Sequence, residues 1–516
     1  MPGPYLIGVD IGTSGTRAGV VDAADGRLVA VGAAATTLIQ PRPDWVEQEM
    51  EEFYTSACHA IRQAMEQARI APGAVAAVAI AGQMAGLGFI DEDWRPVTRY
   101  DSWLDTRCAP QVQQLAEHAG PRVLRQAGAA PTNAHGAKLL WWMKQAPQQL
   151  GPGVRFVMPG GYVTGKLTGL TGDQAYVDAT YLHFTAFADN QALRWDEALQ
   201  QELRVPSHLF PRIVQPWEMA GGLTPEAARD CGLLVGTPVA MGAGDTAASL
   251  LGAGVTRPGV AVDVAGTAAV LAVGTDRFRP DTAAGTLLAG RGALPDLWYS
   301  LAYVAGGGLT LRWFRDQFGA DTVQAAEAAG GDAYERLIAE ATGVEPGAAG
   351  LLFVPHLGGR ICPPEPALRG AWVGAAWGHT RAHFARAVLE GMAYEYDVYQ
   401  GALHALAPDL QIEEIRGTGG GARSAVWNQI KADVLGVPYV RLAQAELAVV
   451  GAAVVAGAAV RVWDDPAAAA ARFARLLPGS CQPDPARHSV YQRVSARYGQ
   501  LLETLRPFFA AGNASK

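Results

Sequence analysis

The first thirty residues alternate short apolar runs with polar turns, which is typical of antiparallel strands. Leu6 to Val9 is apolar, Asp10 to Thr16 is rich in Gly, Thr and Ser, and Arg17 to Val21 is a second strand-like run. Asp25-Gly26 then offers a hairpin turn into the run from Leu28 to Val31. The pattern predicts an antiparallel meander at the start of the chain.

A similar pattern occurs near the middle of the chain. Val260 to Val264 reads as a strand, Ala265 to Ala268 as a turn, and Ala269 to Val273 as the returning strand. The two hairpins lie about 250 residues apart, half the chain. An internal duplication is the economical interpretation, and chance similarity between two buried hairpins is the alternative.

Helical patterns occupy the stretches between these strands. Apolar residues recur at helical spacing in Glu49 to Arg69, Ala325 to Ala341 and Thr380 to Leu406. Leu447 to Val460 is apolar throughout, too short for a membrane span and typical of a buried helix. We therefore expect two α/β halves, each with a mixed sheet, and a boundary near residue 250 that separates residues 1–250 from residues 251–516.

The length and composition are those of a globular protein with more than one core. The chain has 516 residues, of which 49% are hydrophobic and 17% charged, and its net charge is −8. It has no Lys/Arg cluster, so nucleic acid and anionic membranes are not expected partners. The five cysteines are scattered and the N-terminus shows no signal-peptide pattern, so we expect a reducing, cytoplasmic location.

The first turn, Asp10 to Arg17, has the residue types of a phosphate site. Gly12 and Gly15 let backbone N–H groups turn inward, and the hydroxyl residues between and beside them add donors. A carboxylate beside phosphates requires a divalent cation between them, and Mg²⁺ is the usual one. The alternative is an ordinary hairpin turn.

A second candidate is Gly242-Ala243-Gly244-Asp245-Thr246, between a strand-like run and a small-residue helix start. Asp245 could simply cap that helix. It could also act as a general base at a cleft, approached closely through the two glycines, since phosphoryl transfer needs a carboxylate near the acceptor hydroxyl.

The third candidate is the glycine-rich segment Thr418 to Ser424, which lies between a strand-like run and a helical one. Three consecutive glycines would allow a purine to lie against the backbone, whereas a mobile loop is the alternative. The spacing does not match a dinucleotide fingerprint.

These segments, in this order, resemble those of the FGGY carbohydrate kinases, and among them the xylulokinases. The resemblance extends over about residues 5–460. The matching segments are Asp10 to Ser14, Gly82-Gln83-Met84, Trp103 to Arg107, Lys138 to Trp141, Gly242 to Asp245, Asp263 to Thr267, Gly306 to Gly308, Arg369 to Gly391 and Gly419 to Ser424.

The departures from the family pattern concern the acceptor. Xylulokinases usually have His where this chain has Ala85, and many have Asn where it has Thr246. Arg360-Ile361 and Ala425 also differ from the residues of many relatives. None of these differences lies in the phosphate turns.

The resemblance implies two ribonuclease-H-like domains of the actin and hexokinase type with a central cleft. ATP would lie mainly on residues 251–516, the sugar mainly on residues 1–250, and dimers are common in such enzymes. Asp245 would be the catalytic base and would hold Mg²⁺ together with Asp10. The implied sugar contacts are Met84, Ala85, Trp103, Asp105, Asp245 and Thr246, although Met84 and Trp103 could equally be core residues. The implied ATP contacts are Thr13, Ser14, Thr16, Arg17, Gly266, Thr267, Gly308, Arg312, Gly420, Gly421 and Ala422.

The implied activity is ATP-dependent phosphorylation of a sugar hydroxyl, D-xylulose before other ketoses or alditols. Two other classes of function share this fold. A nucleotide-driven machine like actin would not need the Gly-Gln-Met and Trp-x-Asp-x-Arg elements. A sugar-binding regulator without catalysis would not need Asp10, Asp245 and Thr267.

Overall fold

The computed structural model describes residues 4–513. Its strands are β1 (Tyr5–Ile11), β2 (Gly15–Asp22), β3 (Leu28–Ala35), β4 (Ile39–Arg42), β5 (Trp45–Gln48), β6 (Val75–Gly82), β7 (Gly88–Ile90), β8 (Tyr100–Asp101), β9 (Arg155–Val157), β10 (Tyr176–Asp178), β11 (Ala188–Asp189), β12 (Arg194–Trp195), β13 (Arg212–Val214), β14 (Met219–Gly222), β15 (Pro238–Ala240), β16 (Ala243–Gly244), β17 (Val260–Ala265), β18 (Ala269–Thr275), β19 (Leu288–Arg291), β20 (Trp298–Val304), β21 (Leu352–Val354), β22 (Ala371–Val373), β23 (Glu414–Thr418) and β24 (Tyr439–Arg441).

The α-helices cover the faces of the sheets built from these strands. They are α1 (Met50–Ala68), α2 (Ala109–Ala127), α3 (His135–Gln145), α4 (Pro159–Thr168), α5 (Glu197–Glu202), α6 (Pro225–Cys231), α7 (Asp245–Gly252), α8 (Gly307–Phe318), α9 (Ala320–Ala328), α10 (Ala333–Thr342), α11 (Arg381–Leu406), α12 (Ala425–Leu435), α13 (Leu447–Ala459), α14 (Pro466–Phe473) and α15 (Pro485–Asn513).

Two large mixed sheets repeat the same topology. In the first, β1, β2 and β3 are antiparallel neighbours, and β6 and β15 continue the sheet parallel to β1. In the second, β17, β18 and β20 are antiparallel neighbours, and β23 and β24 continue it parallel to β17. The predicted duplication of an α/β unit is confirmed, and the two sheets fall on either side of residue 250.

Most of the predicted helices are present. Helices α1, α11 and α13 match the patterns from Glu49, Thr380 and Leu447 within a residue or two. The single helix predicted over Ala325 to Ala341 is wrong: α9 ends and α10 begins on either side of Gly330-Gly331, and Gly330 has φ +63°.

Helices α7 and α13 lie between the two sheets in backbone contact. A Cβ added to Gly451 of α13 would lie 1.8 Å from the carbonyl oxygen of Ala248 in α7, and one added to Gly252 would lie 2.0 Å from the Leu447 carbonyl oxygen. Helix α13 also contacts the first sheet, since a Cβ on Gly8 would lie 1.8 Å from the Val449 carbonyl oxygen. A helix from the second half of the chain therefore packs on the sheet of the first.

Gly451→Ala tests this contact. The new methyl would meet backbone that no side-chain rotation can move, so we expect the free energy of unfolding to fall by at least about 1–3 kcal/mol, the usual range for overpacking. Thermal melting at constant pH measures it. Gly401→Ala in α11 is the matched control, because an added Cβ there has nothing within 4 Å; it should be neutral or stabilising by about 0.5–1 kcal/mol. Equal behaviour of the two variants would contradict the close contact.

Candidate active site between the two sheets

Asp10 stands near the end of β1 on the face that looks toward α13 and the second half of the chain. Its carboxylate oxygen Oδ1 is inaccessible and has no hydrogen-bond partner within residues 4–513. Burial, followed by the charges of Asp245 and Glu446, raises the pKa of Asp10 to about 7. Arg17, its cross-strand neighbour in β2, lowers this pKa but also pairs with Glu446 at 3.6 Å. The site therefore gathers negative charge that the protein itself does not balance.

Asp245 lies across from Asp10 as the first residue of α7. The predicted alternative, a capping role, is wrong: Gly244 occupies the cap position and makes no side-chain bond, and Asp245 is already helical. The Asp245 side chain accepts a bond from the Thr246 hydroxyl at 3.2 Å. Burial raises its pKa to about 6, and bonds from Thr246 oppose the shift. Its carboxylate is thus available to a ligand.

The turn before Asp245 is held by a buried relay that the sequence interpretation missed. The Gly244 amide donates to the Thr180 hydroxyl at 2.7 Å, and that hydroxyl donates to the Asp178 carboxylate. Thr180 and Asp178 are 0% and 4% exposed. Gly242, with φ +87°, lies on the other side of the turn and packs against the Ile80 carbonyl oxygen. The motif Asp-x-Thr looks like an ordinary turn in sequence, so it carried no signal.

Met84 and Trp103 line the cleft on the side of the first half. A Cβ added to Gly244 would lie 2.9 Å from the Met84 sulfur, so Met84 touches the backbone next to Asp245. The Trp103 side chain is exposed at 50%, and its indole N–H donates to the Thr13 hydroxyl at 2.8 Å. Ala85 is half-buried with φ +60°, a backbone region that favours Gly and Asn.

Two predicted contacts point away from the cleft. Thr16 is already in β2, where it faces α1 with its hydroxyl 2.8 Å from that of Ser56, fully buried. Asp105 is also fully buried; it accepts bonds from the Arg107 guanidinium and, at 2.7 Å, from the Val46 amide. Thr16 as a phosphate contact and Asp105 as a sugar contact are therefore corrected: both hold the walls of the site in place.

Gln83 supports the phosphate turn through a second side chain. Its amide N–H₂ donates to the Gln48 side-chain oxygen at 2.8 Å, and Gln48 donates to the Thr13 carbonyl oxygen at 3.1 Å. Gln48 lies in no recognisable motif, so only the structure identifies it.

On the second half, the three segments predicted for the nucleotide converge around one turn. The Gly308 amide at the start of α8 donates to the Gly266 carbonyl at 2.8 Å. Gly419, with φ +84°, approaches the Ala265 carbonyl so closely that a Cβ would lie 2.8 Å from it. Thr267 and Gly420 are exposed there, as is Arg312 on α8.

Three details of this side differ from the expectation. The Gly308 amide donates its hydrogen bond to the Gly266 carbonyl within the turn. This glycine therefore shapes the site, and its N–H is not available to a nucleotide. Gly421 packs against Trp427 and Ala265, and the Ala422 side chain is buried. Asp263, expected to begin the second phosphate motif, is fully buried and binds Lys431 and the hydroxyls of Tyr396 and Tyr439. The strand pairing explains why Asp263 is buried. Val264, not Asp263, occupies the position in β17 that corresponds to Asp10 in β1. Asp263 is therefore shifted by one residue and faces the opposite side of its strand.

Known proteins match both halves of the chain. The model of the FGGY family of carbohydrate kinases matches residues 5–252 with its N-terminal domain and residues 261–460 with its C-terminal domain. The chain belongs to this family and is a carbohydrate kinase, a phosphotransferase with the two-domain fold of actin and hexokinase.

Individual relatives differ in the substrate that they name. The xylulose kinase of Escherichia coli is 26% identical, with 98% of this chain and 100% of the relative covered. The gluconokinase of Bacillus subtilis is 28% identical (83% and 82%), and the glycerol kinase of Myxococcus xanthus 30% (90% and 92%). The solved xylulose kinase of Rhodospirillum rubrum superposes with a TM-score of 0.87 at 28% identity, with 98% and 100% covered. No helix in residues 4–513 is long and apolar enough to cross a bilayer.

Asp10→Asn should stabilise the ligand-free protein in a pH-dependent way. An Asp whose folded-state pKa is about 7 and whose ordinary value is 3.8 binds its proton more tightly when folded. Its ionisation therefore removes stability as pH rises from about 4 through 7. We expect the variant to melt higher than the wild type at pH 8 and at nearly the same temperature at pH 4.5, without added metal or nucleotide. Asp93→Asn, at an exposed position, is the control and should show the same small difference at both pH values. A melting difference for Asp10→Asn that does not depend on pH would contradict the buried charge.

Proposed function

We propose that the chain transfers the γ-phosphoryl group of ATP to a hydroxyl of an uncharged ketose or alditol, with D-xylulose as the first candidate and D-xylulose 5-phosphate as its product. The observation that carries the proposal is a pair of carboxylates, Asp10 and Asp245, which we call the cleft floor. Within residues 4–513 neither has a protein partner that balances its charge. Such a pair is costly unless a ligand completes it.

Asp245 acts as the general base in this proposal. It accepts the proton of the attacking hydroxyl, for which a carboxylate with a raised pKa is suited. The relay from Asp178 through Thr180 to Gly244 fixes the turn from which Asp245 projects. Met84 and Trp103 hold the acceptor against that turn, with Ala85 and Thr246 beside it.

The donor set fits Mg²⁺. No group of three or more metal-ligating side chains occurs in the described residues, whereas Mg²⁺ commonly takes one or two carboxylates together with substrate phosphates. Asp10 and Asp245 would hold it, directly or through water. When bound, Mg²⁺ would neutralise charge on the phosphate oxygens and offset the repulsion between the two carboxylates.

The remaining contacts of ATP are proposed from the two turns. Thr13, Ser14 and Thr267 would donate hydroxyl bonds to the β- and γ-phosphates, and Arg17 would add positive charge. The adenosine would lie on the second half, where Gly266, Gly308 and residues 419–421 converge, with Arg312 near its edge. A homodimer and a cytoplasmic location remain predictions.

Charge favours a neutral acceptor over a sugar acid such as gluconate. Burial raises the pKa of each carboxylate around the floor: about 7 for Asp10, Asp101 and Asp178, and about 6 for Asp245. The neighbouring cations already have partners: Arg107 pairs with Glu47, with Asp105 and, at 3.6 Å, with Asp101 itself, Lys138 donates to the carbonyls of Ser102 and Asp105, and Arg17 pairs with Glu446. Among the described residues these three cations are therefore not free, and an acidic acceptor would meet the carboxylates of Asp10 and Asp245.

A substrate panel tests the acceptor. We expect D-xylulose, other ketoses or alditols to be phosphorylated and gluconate to be at least about tenfold poorer in kcat/KM, measured by coupled ADP release. Because Ala85 lacks the hydrogen-bonding side chain of relatives, Ala85→His should lower KM for D-xylulose roughly threefold to tenfold, the worth of one neutral hydrogen bond. His also tolerates the positive φ of this position. Faster turnover of gluconate than of every neutral sugar would overturn the acceptor assignment.

Asp245→Asn tests the base. Asn cannot accept the proton, so kcat should fall by at least about a hundredfold, while the removal of a buried charge leaves the melting temperature unchanged or higher. ATP and sugar should still bind, as calorimetry would show. Asp93→Asn, at an exposed position, is the control and should keep most of its kcat. An Asn variant with most of its kcat would refute the role of Asp245.

A further inference from the structure

Three side chains near the cleft carry buried polar atoms that have no hydrogen-bond partner in the part of the chain that the structure describes. They are His135, with both ring nitrogens unpaired, His183, with Nδ1 unpaired, and Tyr299, with its hydroxyl unpaired. Their exposures are 2%, 4% and 2%. Buried polar groups in proteins are nearly always satisfied, and an unpaired one costs about 1–3 kcal/mol. Three together indicate that a ligand or ordered water completes them.

These side chains form one cluster that joins the two halves of the chain. The His183 ring centroid lies 6.1 Å from that of Tyr299, which belongs to β20 of the second sheet. Phe184 connects the imidazoles, with centroids 4.1 Å from His183 and 6.2 Å from His135. His183 and Phe184 also line a small cavity with Thr132 and Gly136. We call His135, His183 and Tyr299 the histidine cluster.

The histidine cluster adjoins the floor on which Asp245 lies. Tyr181, whose ring centroid is 5.9 Å from that of His135, donates its hydroxyl to the Gly82 carbonyl at 2.8 Å, next to Gln83 and Met84. After burial, the charges of Asp245 and Asp178 raise the pKa of both Tyr181 and Tyr299. The cluster is therefore within electrostatic reach of the base but on a different segment from Ala85.

The chemistry of the cluster suits hydroxyl groups. Burial lowers the pKa of His135 well below 6.5 and that of His183 to about 4, so both imidazoles are neutral. A neutral imidazole offers one donor and one acceptor, as does a phenol, and a sugar hydroxyl can answer both. A carboxylate can only accept, and would leave the acceptor nitrogens unpaired.

We propose that His135, His183 and Tyr299 bind the hydroxyl groups of the acceptor that lie beyond the phosphorylated end, and so select a neutral polyol chain longer than three carbons. The inference rests on the proposed function.

The test compares a long and a short ketose in conservative variants. Tyr299→Phe removes one unpaired oxygen and keeps the ring, so its melting temperature should not fall. His183→Phe and His135→Phe keep a planar ring and remove the nitrogens. Each should raise KM for D-xylulose roughly threefold to tenfold, while KM for ATP and KM for dihydroxyacetone, which is too short to reach the cluster, change less than about twofold. His208→Phe is the control, because His208 lies partly exposed beside the Leu150 carbonyl in the same half.

Calorimetry of D-xylulose and xylitol binding without nucleotide separates this proposal from the function on which it rests. Sugar binding that weakens in the variants supports the cluster even if no sugar is phosphorylated. Turnover by the wild type with unchanged D-xylulose KM in Tyr299→Phe and His183→Phe overturns the cluster and leaves the kinase assignment intact. An equal rise in KM for D-xylulose and for dihydroxyacetone would indicate a structural role of these side chains and would also overturn the cluster proposal. If the protein neither binds nor phosphorylates any polyol, both the cluster proposal and the proposed function are refuted.

Discussion

The backbone contact between α7 and α13 is the constraint on which the rest of the structure depends. The carbonyl oxygens of Ala248 and Leu447 lie where side chains of Gly451 and Gly252 would be, so the two helices are as close as main chains can pack. Small residues in both helices are therefore a geometric requirement. Because α13 comes from the second half of the chain and packs on β1, this contact joins the two sheets through a shared core.

The same contact creates the electrostatic problem of the site. Helix α7 begins at Asp245 and α13 follows directly after Glu446, so their close packing brings both acids toward Asp10. Buried carboxylates that repel each other destabilise the folded protein. They are typical of functional sites, where a bound ligand offsets that destabilisation. A phosphoryl donor that arrives with a divalent cation is such a partner. The stability that these carboxylates cost the protein and its affinity for a charged donor then have one physical origin.

The repeat of the fold shows how the two halves diverged. Both use a hairpin with a Gly-Thr turn, but Asp10 faces the cleft in β1 whereas Asp263 faces the core in β17, where Lys431 neutralises it. One sheet thus presents a free carboxylate and the other a buried ion pair. The asymmetry fits the proposed function, in which one wall of the cleft would handle the acceptor and the metal and the other wall would lie against the nucleotide.

The sequence by itself determined the elements and the main catalytic candidates. Apolar periodicity located the hairpins, α1, α11 and α13, the repeated hairpin revealed the duplication, and Asp10 and Asp245 were identified from the turns that carry them. Tertiary structure alone decided which face each side chain takes. Thr16 and Asp263 point inward because a strand alternates faces with every residue, and a turn boundary that moves by one position reverses them. Asp105 is held by Arg107, two residues away, and by the distant Val46 amide. Asp178, Thr180 and Gln48 support the turns of the site because residues far apart in the chain meet there, and no local pattern encodes such a meeting.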